Sequence, residues 1–139
     1  MSEPQRVNVK WVGEHKFDAG RPGKPTARFD GDGLTGPSPV DGLLASLATC
    51  TSVDVVDILA KRRTPIESLE IEVIAKRVDT VPRHLKHVML NFRIGGAGIE
   101  LVHAQRAVEL AVTKYCSVRD SLRRDVPVEW TIAVESEKA

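Results

Sequence analysis

Two cysteines, Cys50 and Cys116, are the side chains of this 139-residue sequence best suited to redox chemistry. Each sits in or at the end of a helix-like apolar segment, Ala48-Thr49-Cys50-Thr51-Ser52 in the first and Lys114-Tyr115-Cys116-Ser117-Val118 in the second. Two thiols are too few for an ordinary structural zinc site. A compact domain can bring them together, which leaves two readings: a redox-active pair, or two small residues filling a core, where free cysteine is often found. His15, His84, His87 and His103 form no zinc-binding spacing with the cysteines. Gly95-Gly96-Ala97-Gly98 has neither the lysine of a phosphate loop nor a dinucleotide fingerprint. No metal and no bound cofactor are expected.

A chain of this length fits one domain, residues 1–139, with a core large enough to need no covalent staple. Twenty Lys and Arg against nineteen Asp and Glu leave a formal charge of +1, and the one short basic cluster, Lys61-Arg62-Arg63, does not suit a nucleic-acid partner. The polar N-terminus lacks an apolar signal core, and the longest apolar stretch, Gly42 to Leu59, carries Asp54 and Asp57, which oppose insertion into lipid. A cytoplasmic protein without a membrane partner is expected. In that reducing compartment any pairing of Cys50 with Cys116 is transient, and either catalytic or redox-sensing.

The elements that must position the thiols are legible in the periodicity. Val7, Val9 and Trp11 alternate as in a half-buried strand over Arg6 to Val12. Two short extended pieces, His15 to Asp18 and Pro25 to Asp30, continue an antiparallel meander punctuated by Gly13 and by Ala19-Gly20-Arg21-Pro22-Gly23. After a loop over Gly31 to Pro37, Ser38-Pro39-Val40-Asp41 places a capping serine, a proline at the first helical position and an acid that can answer the cap. The helix that starts there is apolar on nearly every side and stops near Arg63, before Pro65. So apolar a helix is central and needs more cover than 139 residues readily supply, for which homodimerisation is the preferred explanation.

Two long strands follow, around Leu69/Ile71/Val73 and Val88/Leu90/Phe92/Ile94, turning at Val81-Pro82-Arg83. A second helix is expected from about Glu100 to Cys116, and a last strand at Val128/Trp130/Ile132/Val134. This order is α+β, with no repeated strand-helix-strand unit. Asp54 and Asp57 share a helical face with Cys50 and would raise its pKa, so a structural pair of Asp54 with an arginine at the dimer interface is expected. Tyr115 is expected in the core.

The run Gly36-Pro37-Ser38-Pro39-Val40-Asp41-Gly42-Leu43-Leu44-Ala45-Ser46-Leu47-Ala48-Thr49-Cys50-Thr51, then Asp54-Val55-Val56 and Lys114-Tyr115-Cys116-Ser117-Val118, resembles the OsmC/Ohr family over nearly the whole chain. The resemblance implies an intertwined homodimer with long central helices packed against antiparallel sheets, and a thiol-dependent peroxidase acting on organic hydroperoxides. It implies that Cys50 is the peroxidatic residue and Cys116 the resolving one. It also implies an activating arginine from the early strand-loop region, Arg21 first and Arg28 in reserve, held by an acid near the start of the central helix, for which Asp41 is the candidate. An external dithiol, a lipoylated or thioredoxin-like protein, would supply the electrons. The sequence departs from the peroxidase branches at two places. Val40 occupies the position of their orienting glutamate, displacing the acid by one residue and about 100° of helix rotation. Ser117 stands where they have proline after the second cysteine. The resemblance is therefore to less characterised OsmC-like members, for which a non-enzymatic stress or small-hydrophobic-ligand-binding protein, or a thiol redox sensor, is the alternative.

Overall fold

The computed structural model describes residues 3–135; Met1 and Ser2 of the polar N-terminus and residues 136–139 lie outside the described residues. The backbone divides into two compact units, Met1–Leu43 and Leu44–Ala139.

The N-terminal unit is the expected meander. Strands β1 (Asn8–Gly13), β2 (Lys16–Gly20) and β3 (Ala27–Asp30) form an antiparallel sheet in that order. Phe17 sits between Trp11 and Phe29 in the register, and Asp18 is opposite Arg28. Asp30 ends β3 and is buried. Its carboxylate accepts the Asp32 N–H at 2.9 Å and both the Thr35 N–H and the Thr35 hydroxyl at 2.9 Å. These backbone donors hold it down to about 2, well below an ordinary carboxyl. The Asp30 N–H closes the loop by donating to the Pro37 carbonyl at 3.0 Å, which delivers Ser38 to the helix start.

There the capping box forms as read from the sequence: Asp41 N–H donates to Ser38 Oγ at 3.2 Å and Ser38 N–H to Asp41 Oδ2 at 3.1 Å. Gly42, in the first helical turn, has no room for a side chain, because a Cβ there would enter the Phe29 ring.

The depressed Asp30 predicts acid sensitivity with a definite sign. A carboxyl with a lowered folded pKa adds stability that is complete above the unfolded value of about 4 and is lost as pH falls through the folded one. Melting temperatures followed by circular dichroism should therefore drop steeply between about pH 4 and pH 2. An Asp30→Asn variant should melt lower than wild type at neutral pH and converge with it near pH 2.

Helix α1 (Pro39–Lys61) begins in the first unit and runs on through the second. It ends as expected before Pro65, with Arg63 in the left-handed conformation (φ 67°) and the Thr64 N–H reaching the Leu59 carbonyl at 3.1 Å. Leu47, Thr51, Val55 and Leu59, four residues apart along the helix, are each fully buried. Val53 and Val56 remain 61% and 42% exposed within the single chain. By length and composition alone α1 could cross a membrane, and only 28% of its most apolar window is buried.

The second sheet contains β4 (Ser68–Arg77), β5 (Leu85–Gly95) and β6 (Val128–Glu135), in that order. On one face Ile71, Phe92 and Ile132 align across the three strands, as do Leu69, Ile94 and Val134. The other face is polar, with Arg93 bridging Glu70 and Glu135. The expectation of wholly antiparallel sheets is corrected here: β4 and β5 form an antiparallel hairpin, but β6 lies parallel to β5. The physical reason is the connection, since the helix between β5 and β6 carries the chain back to the end from which β5 started.

That helix also differs from the expected single run. Helix α2 (Leu101–Leu110) gives way to one π turn, Ala111–Tyr115, and Cys116 then starts a short helix, α3 (Ser117–Ser121). Ala104, Ala107, Val108, Ala111 and Val112 face the core. Arg62 at the C-terminal end of α1 lies 2.8 Å from the His103 ring near the start of α2, while Thr51 meets Cys116 beyond its far end. The two long helices therefore run antiparallel, side by side.

Candidate active site

The pairing of α1 with α2 brings the two sequence-distant cysteines together. Both are free thiols, Cys116 buried (4% exposed) and Cys50 half-buried, and Cys50 is close enough to bear on the Cys116 thiol. Cys50 sits in the middle of α1, so its position is set by the same turn that buries Thr51.

Cys116 is positioned by a change of backbone. Its N–H closes the π turn on the Ala111 carbonyl at 2.9 Å, and its own φ and ψ of −75° and 105° are extended. It thereby becomes the N-cap of α3, with Sγ accepting the Arg119 N–H at 3.3 Å. On its other side the Thr51 hydroxyl lies 3.6 Å from the same sulfur. Burial is the largest influence on this thiol and pushes its pKa up; the Arg119 N–H and the Thr51 hydroxyl pull it down, and the neighbouring Cys50 pushes it up again.

Beside Cys116 opens a cavity of about 600 Å³, within the range that holds a small organic ligand. Val112, Tyr115, Val128 and Trp130 supply its apolar surface, and Lys114, Arg119, Arg124 and Asp120 add charge, three positive and one negative. Tyr115, expected in the core, is instead 49% exposed and lines this cavity. The π turn accounts for the difference, because widening the last turn moves Tyr115 off the buried stripe of α2.

The remaining candidates fall in the N-terminal unit. Arg21 is exposed in the turn after β2, where its carbonyl accepts the Lys24 N–H at 3.1 Å. Arg28 is held by Asp18, its Nε donating to Oδ1 at 2.6 Å, and this bond lowers the Asp18 pKa and raises that of Arg28. The acid that orients an arginine in this unit is thus Asp18, a cross-strand neighbour, while Asp41 is engaged in the capping box. Asp54 is half-buried, and none of the ion pairs among the described residues involves it.

Thr51 and the Arg119 N–H escaped the sequence reading. Thr51 had a signal: it interrupts the apolar series Leu47, Val55, Leu59 at the helical repeat, and a polar residue in a buried stripe needs a partner. The histidines stay apart, His15 beside Asp32, His87 beside Glu129 and His103 beside Glu100. No group of three or more His, Cys, Asp or Glu is placed to hold a metal among the described residues.

Known proteins share this fold. The family model for OsmC-like proteins matches residues 30–131. Protein YhfA of Escherichia coli (strain K12) is 32% identical over 130 residues, which cover 93% of this chain and 97% of that protein. The crystal structure of the OsmC like protein from Mycoplasma pneumoniae has a TM-score of 0.79 at 13% identity, over 96% of this chain and 99% of that one. The organic hydroperoxide resistance protein OhrB of Bacillus subtilis has a TM-score of 0.61 at 16% identity, over 94% of this chain and 98% of that one. At these identities the two structures speak to fold alone. The family-model match from the end of β3 into β6, which includes both cysteines, makes this chain a member of the OsmC-like family.

Proposed function

We propose that this chain is a thiol-dependent peroxidase that reduces organic hydroperoxides through a dithiol/disulfide cycle of Cys50 and Cys116. The observation that carries the reading is that the only two cysteines, far apart in sequence, are neighbours in the fold, Cys116 buried and Cys50 half-buried. The Cys50 thiolate attacks the distal peroxide oxygen; the O–O bond breaks, the alkoxide takes up a proton and leaves as alcohol, and Cys50 becomes a sulfenic acid. Cys116 then attacks that sulfur, forming the disulfide and expelling water once the hydroxyl is protonated. An external dithiol, from a lipoylated or thioredoxin-like protein, returns both residues to thiols. The apolar residues in the cavity beside Cys116, Val112, Tyr115, Val128 and Trp130, support an alkyl or aryl peroxide over hydrogen peroxide.

The active form in this proposal is a cytoplasmic homodimer. Its support lies in apolar surface that a single chain leaves open: Val9 and Trp11 on β1, each 64% exposed, and Val53 and Val56 on α1. A second copy is a better cover for α1 than lipid, because Asp54 and Asp57 interrupt its apolar surface. The same cavity supports a second reading, a carrier of a small hydrophobic ligand in which the thiols are inert.

Titrating the reduced protein with cumene hydroperoxide, and separately with hydrogen peroxide, distinguishes the two. The peroxidase loses two thiols per chain in proportion to added cumene hydroperoxide, with an intact mass lower by two hydrogens. Oxidation no faster than that of an ordinary exposed thiol overturns the proposal and leaves the carrier.

A further inference from the structure

The two sulfurs are not equally equipped to carry charge. Thr51 is fully buried, and its hydroxyl has a single hydrogen and two neighbours, the Leu47 carbonyl at 2.9 Å and Cys116 Sγ at 3.6 Å. The Leu47 carbonyl is also the helical acceptor of the Thr51 N–H, so the hydroxyl can turn away without leaving that oxygen unpaired. In the thiol form Thr51 donates to Leu47 and can accept from the Cys116 S–H. With a thiolate, rotation about Cβ–Oγ aims the O–H at sulfur, where the Arg119 N–H already donates at 3.3 Å. Two donors thus converge on a Cys116 anion, whereas Cys50 is the less buried of the two residues.

We propose that Thr51 stabilises Cys116 as the leaving thiolate when the Cys50–Cys116 disulfide is reduced, so that the external reductant attacks Cys50 Sγ. The inference rests on the disulfide cycle proposed above and assigns the direction of its reductive half. A reductant thiolate forms a bond to Cys50 Sγ as the Cys50–Cys116 bond breaks, and the electron pair passes to Cys116 Sγ. The second reductant thiol, after losing its proton, displaces Cys50 as thiolate and leaves the reductant as a cyclic disulfide. The two protons shed by the reductant restore Cys50 and Cys116 to thiols. Exposure and leaving-group stabilisation select the same sulfur for attack.

The donor is tested without reference to peroxide. In a Cys50→Ser background Cys116 is the single thiol, and its thiolate is titrated by ultraviolet absorbance. The groups around it, Lys114 and Tyr115 from the π turn and Arg119 and Asp120 from α3, are the same in every variant compared. Thr51→Val, isosteric but without the hydroxyl, should raise the thiolate midpoint by about one pH unit or more, and Thr51→Ser should restore it. With both cysteines present, Thr51→Val should slow dithiothreitol reduction of the disulfide about five-fold. A monothiol should leave its adduct on Cys50 when mixed disulfides are mapped by mass spectrometry. Thr51→Ala, which removes the hydroxyl with less steric demand, repeats the titration if the valine does not fold. An unmoved midpoint, a serine that fails to restore it, or an adduct on Cys116 overturns the role of Thr51. A wild-type protein that forms no disulfide overturns the cycle itself, and this step with it.

Discussion

Serine in place of Cys50 should lower the rate of peroxide reduction by at least about 10³-fold, because an alcohol at neutral pH is no substitute for a thiolate nucleophile. Serine in place of Cys116 should have a different signature: Cys50 still attacks once, but its sulfenic acid finds no resolving thiol. That variant should accumulate a species trapped by dimedone on Cys50, and with excess peroxide proceed to the sulfinic acid, a mass gain of two oxygens. The two variants are read by intact mass and peptide mapping after a single addition of cumene hydroperoxide. The reverse pattern, a trapped sulfenic acid on Cys116 in the Cys50→Ser protein, would exchange the two roles. That is a substantive rival, since the donors that converge on Cys116 could also serve an attacking thiolate. Against it stands burial: Cys116 is 4% exposed, whereas Cys50 is half-buried.

The largest effect on stability is expected at Phe92. It is 1% exposed at the middle of β5 and lies between Ile71 on β4 and Ile132 on β6, so truncation opens a cavity in the central strand of the second sheet. Phe92→Ala should cost about 3–5 kcal/mol in urea unfolding followed by circular dichroism. Arg93, the next residue along, faces the opposite side and forms exposed pairs with Glu70 and Glu135. Arg93→Ala should change stability by less than about 1 kcal/mol, despite removing two ion pairs. A comparable loss at both positions would mean that the buried side of this sheet has been misassigned.

Those two neighbours also show what could be read before any coordinates. Alternation in Val88, Leu90, Phe92 and Ile94 identifies the buried side of β5 because a strand has a strict two-residue period. The start of α1 was equally legible, since the Ser38–Asp41 exchange is a local bond between residues three apart. What escaped depends on partners distant in sequence. The parallel seating of β6 is set by the crossover and leaves no mark in Val128, Trp130 or Ile132, which alternate identically in either orientation. Asp18 became the partner of Arg28 through hairpin register, whereas Asp41 was the nearest acid along the chain to the expected one. The meeting of Cys50 with Cys116 was suggested by residue type and resemblance; the Thr51 contact needed the helices laid side by side.

The π turn has a bearing on how chains of this family are aligned. Between Leu101 and Tyr115 the helix holds one more residue in its final turn than an α-helix of the same rise would. That residue works as a phase shifter: the stripe from Ala104 to Ala111 keeps its bearing on the core while everything beyond it is rotated. Removing one residue within Ala111–Tyr115 would close the π turn to an α turn and leave Cys116 aimed at about the same neighbour, whereas the same deletion in a regular α-helix would turn it by about 100°. The count of residues between the two thiols is therefore an elastic quantity, and what has to be preserved is the angle at which the second one leaves the helix.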